Sequence, residues 1–133
     1  MTEADTAAFV ARFFDAIEAG DIDAVAACYA DDVVVWHNTD RLASDKAENL
    51  EVLAGFVKRT PFRRYEDRRV AVFPGGFVQQ HVLKSARRDG TPVALHAAIV
   101  CAVRDGRIVR LDEYFDSAEL AAWRPQASSS TSQ

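Results

Sequence analysis

Glu113 stands where a charged residue is least expected. It lies in the run Val109-Arg110-Leu111-Asp112-Glu113-Tyr114-Phe115-Asp116. Two-residue alternation gives one side Val109, Leu111, Glu113 and Phe115, and the other Arg110, Asp112, Tyr114 and Asp116. A carboxylate on an apolar strand face is costly unless it is paired or lines a cavity. Two of the three histidines lie in similar patterns. His37 alternates with Val33 and Val35, and His81 with Phe77, Gln79 and Leu83. If these sides all face inward, His37, Gln79, His81 and Glu113 converge. A carboxylate beside an imidazole fixes its tautomer and raises its basicity, which suits a general base near neutral pH. The expected roles are His81 as base, Glu113 as its orienting or acid partner, and His37 as second acid/base or substrate anchor. Gln79 would hydrogen-bond a carbonyl or hydroxyl. Two histidines and a glutamate also form the inventory of a facial-triad metal site. They come from separate strands without short spacing, so no metal is expected.

The elements that must position these residues can be read along the chain. Phe9, Phe13 and Ile17, flanked by Val10 and Phe14, trace the apolar stripe of a first helix. Thr2 with Asp5 begins it as a weak capping box, and Gly20 ends it. Asp21 caps a short second helix through Tyr29, which Asp31-Asp32 stops. Val33 to His37 is β-branched and aromatic, hence a strand. Ser44 is expected to cap a third helix carrying Leu50, Leu53, Ala54 and Val57, ended by Thr60-Pro61. From Phe62 to Asp116 the chain predicts four antiparallel strands. Their turns are Pro74-Gly75-Gly76, Arg88-Asp89-Gly90 and Arg104-Asp105-Gly106. Ser117 to Trp123 suggests a short closing helix. Residues 1–123 are thus expected to form one domain, and 124–133 a flexible Ser/Thr-rich tail. The predicted class is α+β: three N-terminal helices packed on a curved, mostly antiparallel sheet that forms a cone.

Composition narrows the partners. The chain of 133 residues is 49% hydrophobic and 27% charged, within the globular range. Sixteen basic against twenty acidic residues give a net charge of −4 with no basic stripe, which argues against nucleic acid. No apolar run approaches the ~20 residues of a membrane helix. The N-terminus carries two acids and no basic residue, so a targeting signal is not expected and the compartment is read as cytoplasmic. His96 alternates with Ala98, Val100 and Ala102 on a face unusually apolar for a sheet exterior. That face predicts a homodimer. Arg63-Arg64 and Arg68-Arg69 read as solvated strand edges.

The stretch Phe13-Phe14-Asp15-Ala16-Ile17-Glu18-Ala19-Gly20-Asp21-Ile22-Asp23, followed by Tyr29-Ala30-Asp31-Asp32 and a strand, resembles the opening of the nuclear transport factor 2-like superfamily. The ending from Asp105 to Asp116 resembles its SnoaL-like branch. That superfamily, with a cystatin-like cone, includes ketosteroid isomerases, polyketide cyclases and limonene epoxide hydrolases. The isomerase tyrosine falls at Phe13, its aspartate base at His37 and its protonated aspartate at Ile99. The resemblance therefore implies that steroid isomerisation by that route is disfavoured. The epoxide hydrolase arginine falls at Gln79, its two aspartates at His81 and Glu113, and its asparagine at His37. Together these readings imply cofactor-free acid–base chemistry on a small hydrophobic molecule, as in an isomerase, cyclase or hydrolase. Its apolar pocket would be lined by Phe9, Phe13, Ile17, Leu53, Val57, Leu111 and Phe115. The alternative is a non-catalytic binding or dimeric interaction domain of the same fold.

Overall fold

The computed structural model describes residues 1–124. Four helices and six strands follow one another as α1 (Glu3–Ala19), α2 (Ile22–Cys28), β1 (Tyr29–His37), β2 (Ala43–Ser44), α3 (Lys46–Arg59), β3 (Arg64–Phe73), β4 (Gly76–Ala86), β5 (Pro92–Arg104), β6 (Arg107–Phe115) and α4 (Ser117–Ala121). The strands form one sheet in the order β2-β1-β6-β5-β4-β3. Every neighbouring pair is antiparallel except β1 and β6. The α+β architecture expected from the sequence is therefore present, including the four-stranded meander. The expected tail beyond Arg124 lies outside the described residues.

The helix ends follow local chemistry. At α1, Thr2 and Asp5 exchange side-chain and backbone hydrogen bonds, and Gly20 closes the helix at φ 71°. The cap of α3 is Asp45 rather than Ser44, because Glu48 stands three residues beyond Asp45 and completes a reciprocal box with it. Tyr29 leaves α2 and opens β1, so Asp31 and Asp32 lie within the strand instead of stopping a helix. The β1 register shifts between Tyr29 and Val34, which absorbs that acidic pair. Arg63 is no solvated edge. Its guanidinium donates to the carbonyls of Ile17, Glu18, Val57 and Thr60 at the ends of α1 and α3. Arg68 ties β3 to α1 through Asp15 at 3.0 Å and Glu18 at 3.1 Å.

The core lies between α1 and the concave sheet face. Phe9, Phe13, Phe14 and Ile17 pack there against Val33, Val35, Phe77, Ile99 and Leu111. In β6 the ladder shifts so that Val109 is left between paired neighbours, and Ile108 rather than Val109 enters the core. Leu111, Glu113 and Phe115 keep the inward side. Beyond Phe115 the upper part of β5 has no β6 partner, and α4 covers it. The Ala94 carbonyl accepts from the Trp123 indole at 3.2 Å, and the His96 backbone N–H donates to Glu119 at 2.9 Å. Among the described residues no helix is long and apolar enough to cross a membrane.

Gly76 opens β4 against the β5 backbone. A Cβ there would stand 2.1 Å from the Cys101 carbonyl oxygen, a backbone atom that cannot rotate away. Gly76→Ala is therefore expected to lower stability by at least ~2 kcal/mol, in the range of strongly disruptive substitutions. Urea unfolding checks this, and an unchanged midpoint would show that the hairpin shifts without cost.

Candidate functional site

Glu113 finds its partner across the parallel pair of strands. The β1–β6 register sets His37 directly opposite Glu113, on the inward side shared with Val35 and Leu111. His37 Nε2 lies 3.1 Å from Glu113 Oε1, with 28% and 17% of the two side chains exposed. No protein donor among the described residues reaches the second carboxylate oxygen. The Phe115 ring stands edge-on to His37 at 6.2 Å. The Glu113 carboxylate raises the His37 pKa above the ordinary imidazole value, outweighing the opposing effect of partial burial.

Asn38 secures this arrangement just past the end of β1. Its backbone N–H donates to the Glu113 carbonyl at 3.0 Å. Its side-chain amide donates to the Phe115 carbonyl at 3.1 Å and accepts the Phe115 N–H at 3.0 Å. A side chain thus continues the ladder after the strand has turned away. Trp36 points to the opposite sheet face, where its ring meets Tyr114 at 5.4 Å.

His81 occupies a different setting from the one expected. The sequence assigns Glu113 to His81, whereas the ladder places His81 opposite Ala97, and Ala97 opposite Phe115, one step along from Glu113. Its hydrogen-bond partner is Gln79, whose Nε2 stands 2.9 Å from His81 Nδ1. The rings of Tyr65 and Phe14 lie edge-on to the imidazole at 4.6 and 5.5 Å. Burial drives the His81 pKa down to about 4, with Glu113 opposing that shift and Arg68 reinforcing it. His81 is consequently neutral near pH 7 and a poor general base. With the Gln79 amide nitrogen bonded to Nδ1, the imidazole proton sits on Nε2. That donor and the Gln79 Oε1 acceptor are both buried without a partner among the described residues. Burying such a group unsatisfied costs about 1–3 kcal/mol.

The expected pocket lining divides in two. Phe13 is fully buried, and Phe9, Ile17 and Leu111 are buried to within a few per cent. They form a filled core beneath the polar residues, because the aromatic rings of α1 occupy the narrow part of the sheet's curve. Leu53, Val57 and Phe115 are half-buried. The missed signal is Tyr65, an inward aromatic on the edge strand that the arginine-rich flanks conceal. Tyr29 places its hydroxyl on Asn49 of α3 at 2.8 Å. His96 is exposed and binds Glu119 at 2.9 Å, apart from this cluster. Among the described residues no group of three or more His, Cys, Asp or Glu side chains is gathered as a metal site.

Helices laid on a strongly curved sheet, with polar residues on its concave side, define the nuclear transport factor 2-like class. Within it, the family model for the SnoaL-like domain matches residues 10–111, and the chain belongs to that family. Solved structures agree at the level of fold. A candidate polyketide cyclase from Xanthomonas campestris superimposes with a TM-score of 0.81 at 20% identity, covering 90% of this chain and 96% of that one. An epoxide hydrolase from M. tuberculosis gives 0.75 at 20% identity, covering 90% and 89%. An isomerase-like protein from Bacillus subtilis gives 0.79 at 15% identity, covering 92% and 94%. No curated protein matches the sequence.

The two inward histidines should titrate in opposite directions. The raised pKa of His37 stabilises the fold fully below about 6.5, and that contribution is lost as pH rises through its folded value. The lowered pKa of His81 favours the fold above about 6.5, and that contribution is lost as pH falls toward about 4. NMR titration of the imidazole resonances is expected to show His37 above and His81 below the free value. Glu113→Gln should move His37 down. Unchanged titration of His37 in that variant would remove the carboxylate as its cause.

Proposed function

We propose that His37 and Glu113 form the acid–base centre of a cofactor-free enzyme acting on a small hydrophobic molecule. The observation carrying this reading is the 3.1 Å contact between His37 Nε2 and Glu113 Oε1 on the inward sheet face, beside the buried Gln79 and His81. Glu113 keeps one oxygen free to accept a proton from carbon or from water, and His37, whose imidazolium form the carboxylate favours, supplies a proton elsewhere on the substrate. Neutral His81, through Nε2–H, and Gln79, through Oε1, offer a donor and an acceptor for a carbonyl or hydroxyl. A neutral imidazole is useful here because it stabilises a developing oxyanion without taking Glu113 as its own counter-ion. Both atoms are sealed from solvent, so binding has to displace neighbouring side chains. Proton transfer next to a carbonyl, ring closure or hydration would all fit this set of groups, and the solved neighbours named as cyclase, epoxide hydrolase and isomerase make these the first classes to assay.

The filled core under the pair favours a second reading, a binding domain that holds a metabolite without turning it over. Deuterium exchange into 1-indanone and hydration of styrene oxide, followed by NMR, separate the two. The enzyme reading expects turnover that falls by at least ~100-fold in His37→Gln and in Glu113→Gln, in line with typical acid–base contributions. Turnover equal to wild type in both variants would sink it, and binding of either probe without turnover would favour the second reading.

The same proposal includes a second copy of the chain on the outer sheet face. Tyr114 and Val100 are 45% and 37% exposed there, beside Trp36 and Ala98. Apolar side chains grouped in this way fit a self-complementary contact. Tyr114→Glu with Val100→Glu should give a monomer by sedimentation at concentrations where the wild type is a dimer. A monomeric wild type would overturn this part.

A further inference from the structure

A second feature lies away from His37 and Glu113, where the end of α3, the β4–β5 turn and α4 meet. They enclose a groove of about 800 Å³, within the size range of small-molecule sites. Its apolar wall is Phe56 and Trp123, whose rings stand 5.9 Å apart, together with Leu120. Among the described residues its polar wall is Arg59, Arg87, Arg88 and Arg124, with Asp89 as the one carboxylate. Four arginines lining one groove contrast with a chain whose net charge is −4.

Several details hold this wall in place. Arg87 donates through Nη1 to the Ala122 carbonyl at 3.0 Å and meets Asp89 at 3.5 Å, with 13% of its side chain exposed. Its Nε–H is buried without a partner among the described residues. Trp123 is fixed to β5 through the Ala94 carbonyl. Gly55 interrupts α3, at a cost of about 1 kcal/mol relative to alanine. A Cβ at that position would stand 3.0 Å from Arg59 Nη1, so the glycine leaves room for the guanidinium to lie back along the helix. Arginine matches a carboxylate in planar, paired hydrogen bonds, while two aromatic rings offer a face to an apolar body.

We propose that this groove is a binding site for a small amphipathic carboxylate, its acid group held by Arg59 and Arg88 and its hydrophobic body lying against Phe56 and Trp123. The assignment does not depend on catalysis at His37 and Glu113, which line no part of the groove.

The probe is 2-naphthoate, with 2-naphthamide as its uncharged counterpart, titrated into the full chain labelled with nitrogen-15. Trp36 and Trp123 give separate indole signals, each assigned by substitution with phenylalanine. The Trp123 signal should shift on adding 2-naphthoate while that of Trp36 stays in place, and binding should weaken with salt. Arg59→Gln and Arg88→Gln should each weaken binding by about tenfold, the scale of a lost hydrogen bond to a charged group. His37→Gln should leave it unchanged, so a failed catalytic assignment and a failed groove assignment give different results. Equal affinity for 2-naphthamide would reduce the groove to an apolar patch and overturn the proposal. So would a shift at Trp36 alone, or no shift at the solubility limit of 2-naphthoate.

Discussion

The parallel pairing of β1 with β6 is the constraint on which the rest of the molecule depends. Parallel neighbours cannot be joined by a tight turn, and here β2, α3 and the first three strands of the meander lie between them. That long return brings the amino-terminal helices over the meander and closes the sheet's curve around α1. It also decides which histidine meets Glu113. A shift of one residue in this register would turn His37 outward and Trp36 inward, placing a large indole against Leu111 and Phe115. The Asn38 side chain resists such a shift by extending the ladder beyond the strand itself.

Electrostatics then gives two similar residues unlike roles. His37 and His81 both face the concave side, but one gains a carboxylate within hydrogen-bond distance and the other gains two aromatic rings and an amide. An anion favours the imidazolium, whereas an apolar enclosure favours the neutral ring. The two rings therefore lean toward opposite protonation states within one sheet.

The legible part of the fold is its local part. Hairpin turns, helix stripes and caps rest on residues close in sequence, so the meander, α1 and α3 can be read directly. Glu113 stands out for the same reason, through alternation within one strand. Its partner is harder to read because strand register across 76 residues leaves no local mark. The sequence also does not show that Phe13 and Leu111 fill the narrow end of the cone, since residues lining a cavity and residues filling it have the same chemistry. Strand irregularities hide in the same way. The bulges at the start of β1 and at Val109 exchange inward and outward residues without any glycine or proline to announce them.

The covering of β5 by α4 bears on self-association. Without that helix the upper part of β5 would present a run of unpaired backbone groups, with Ala94 and His96 at its centre and apolar residues on the inward side. Such an edge is a template for another strand, and an added strand can template the next. Glu119 and Trp123 occupy those backbone groups with side chains that cannot pass the pattern on. The short last helix and the Trp123 that follows it thus block the edge at which open-ended strand addition would start.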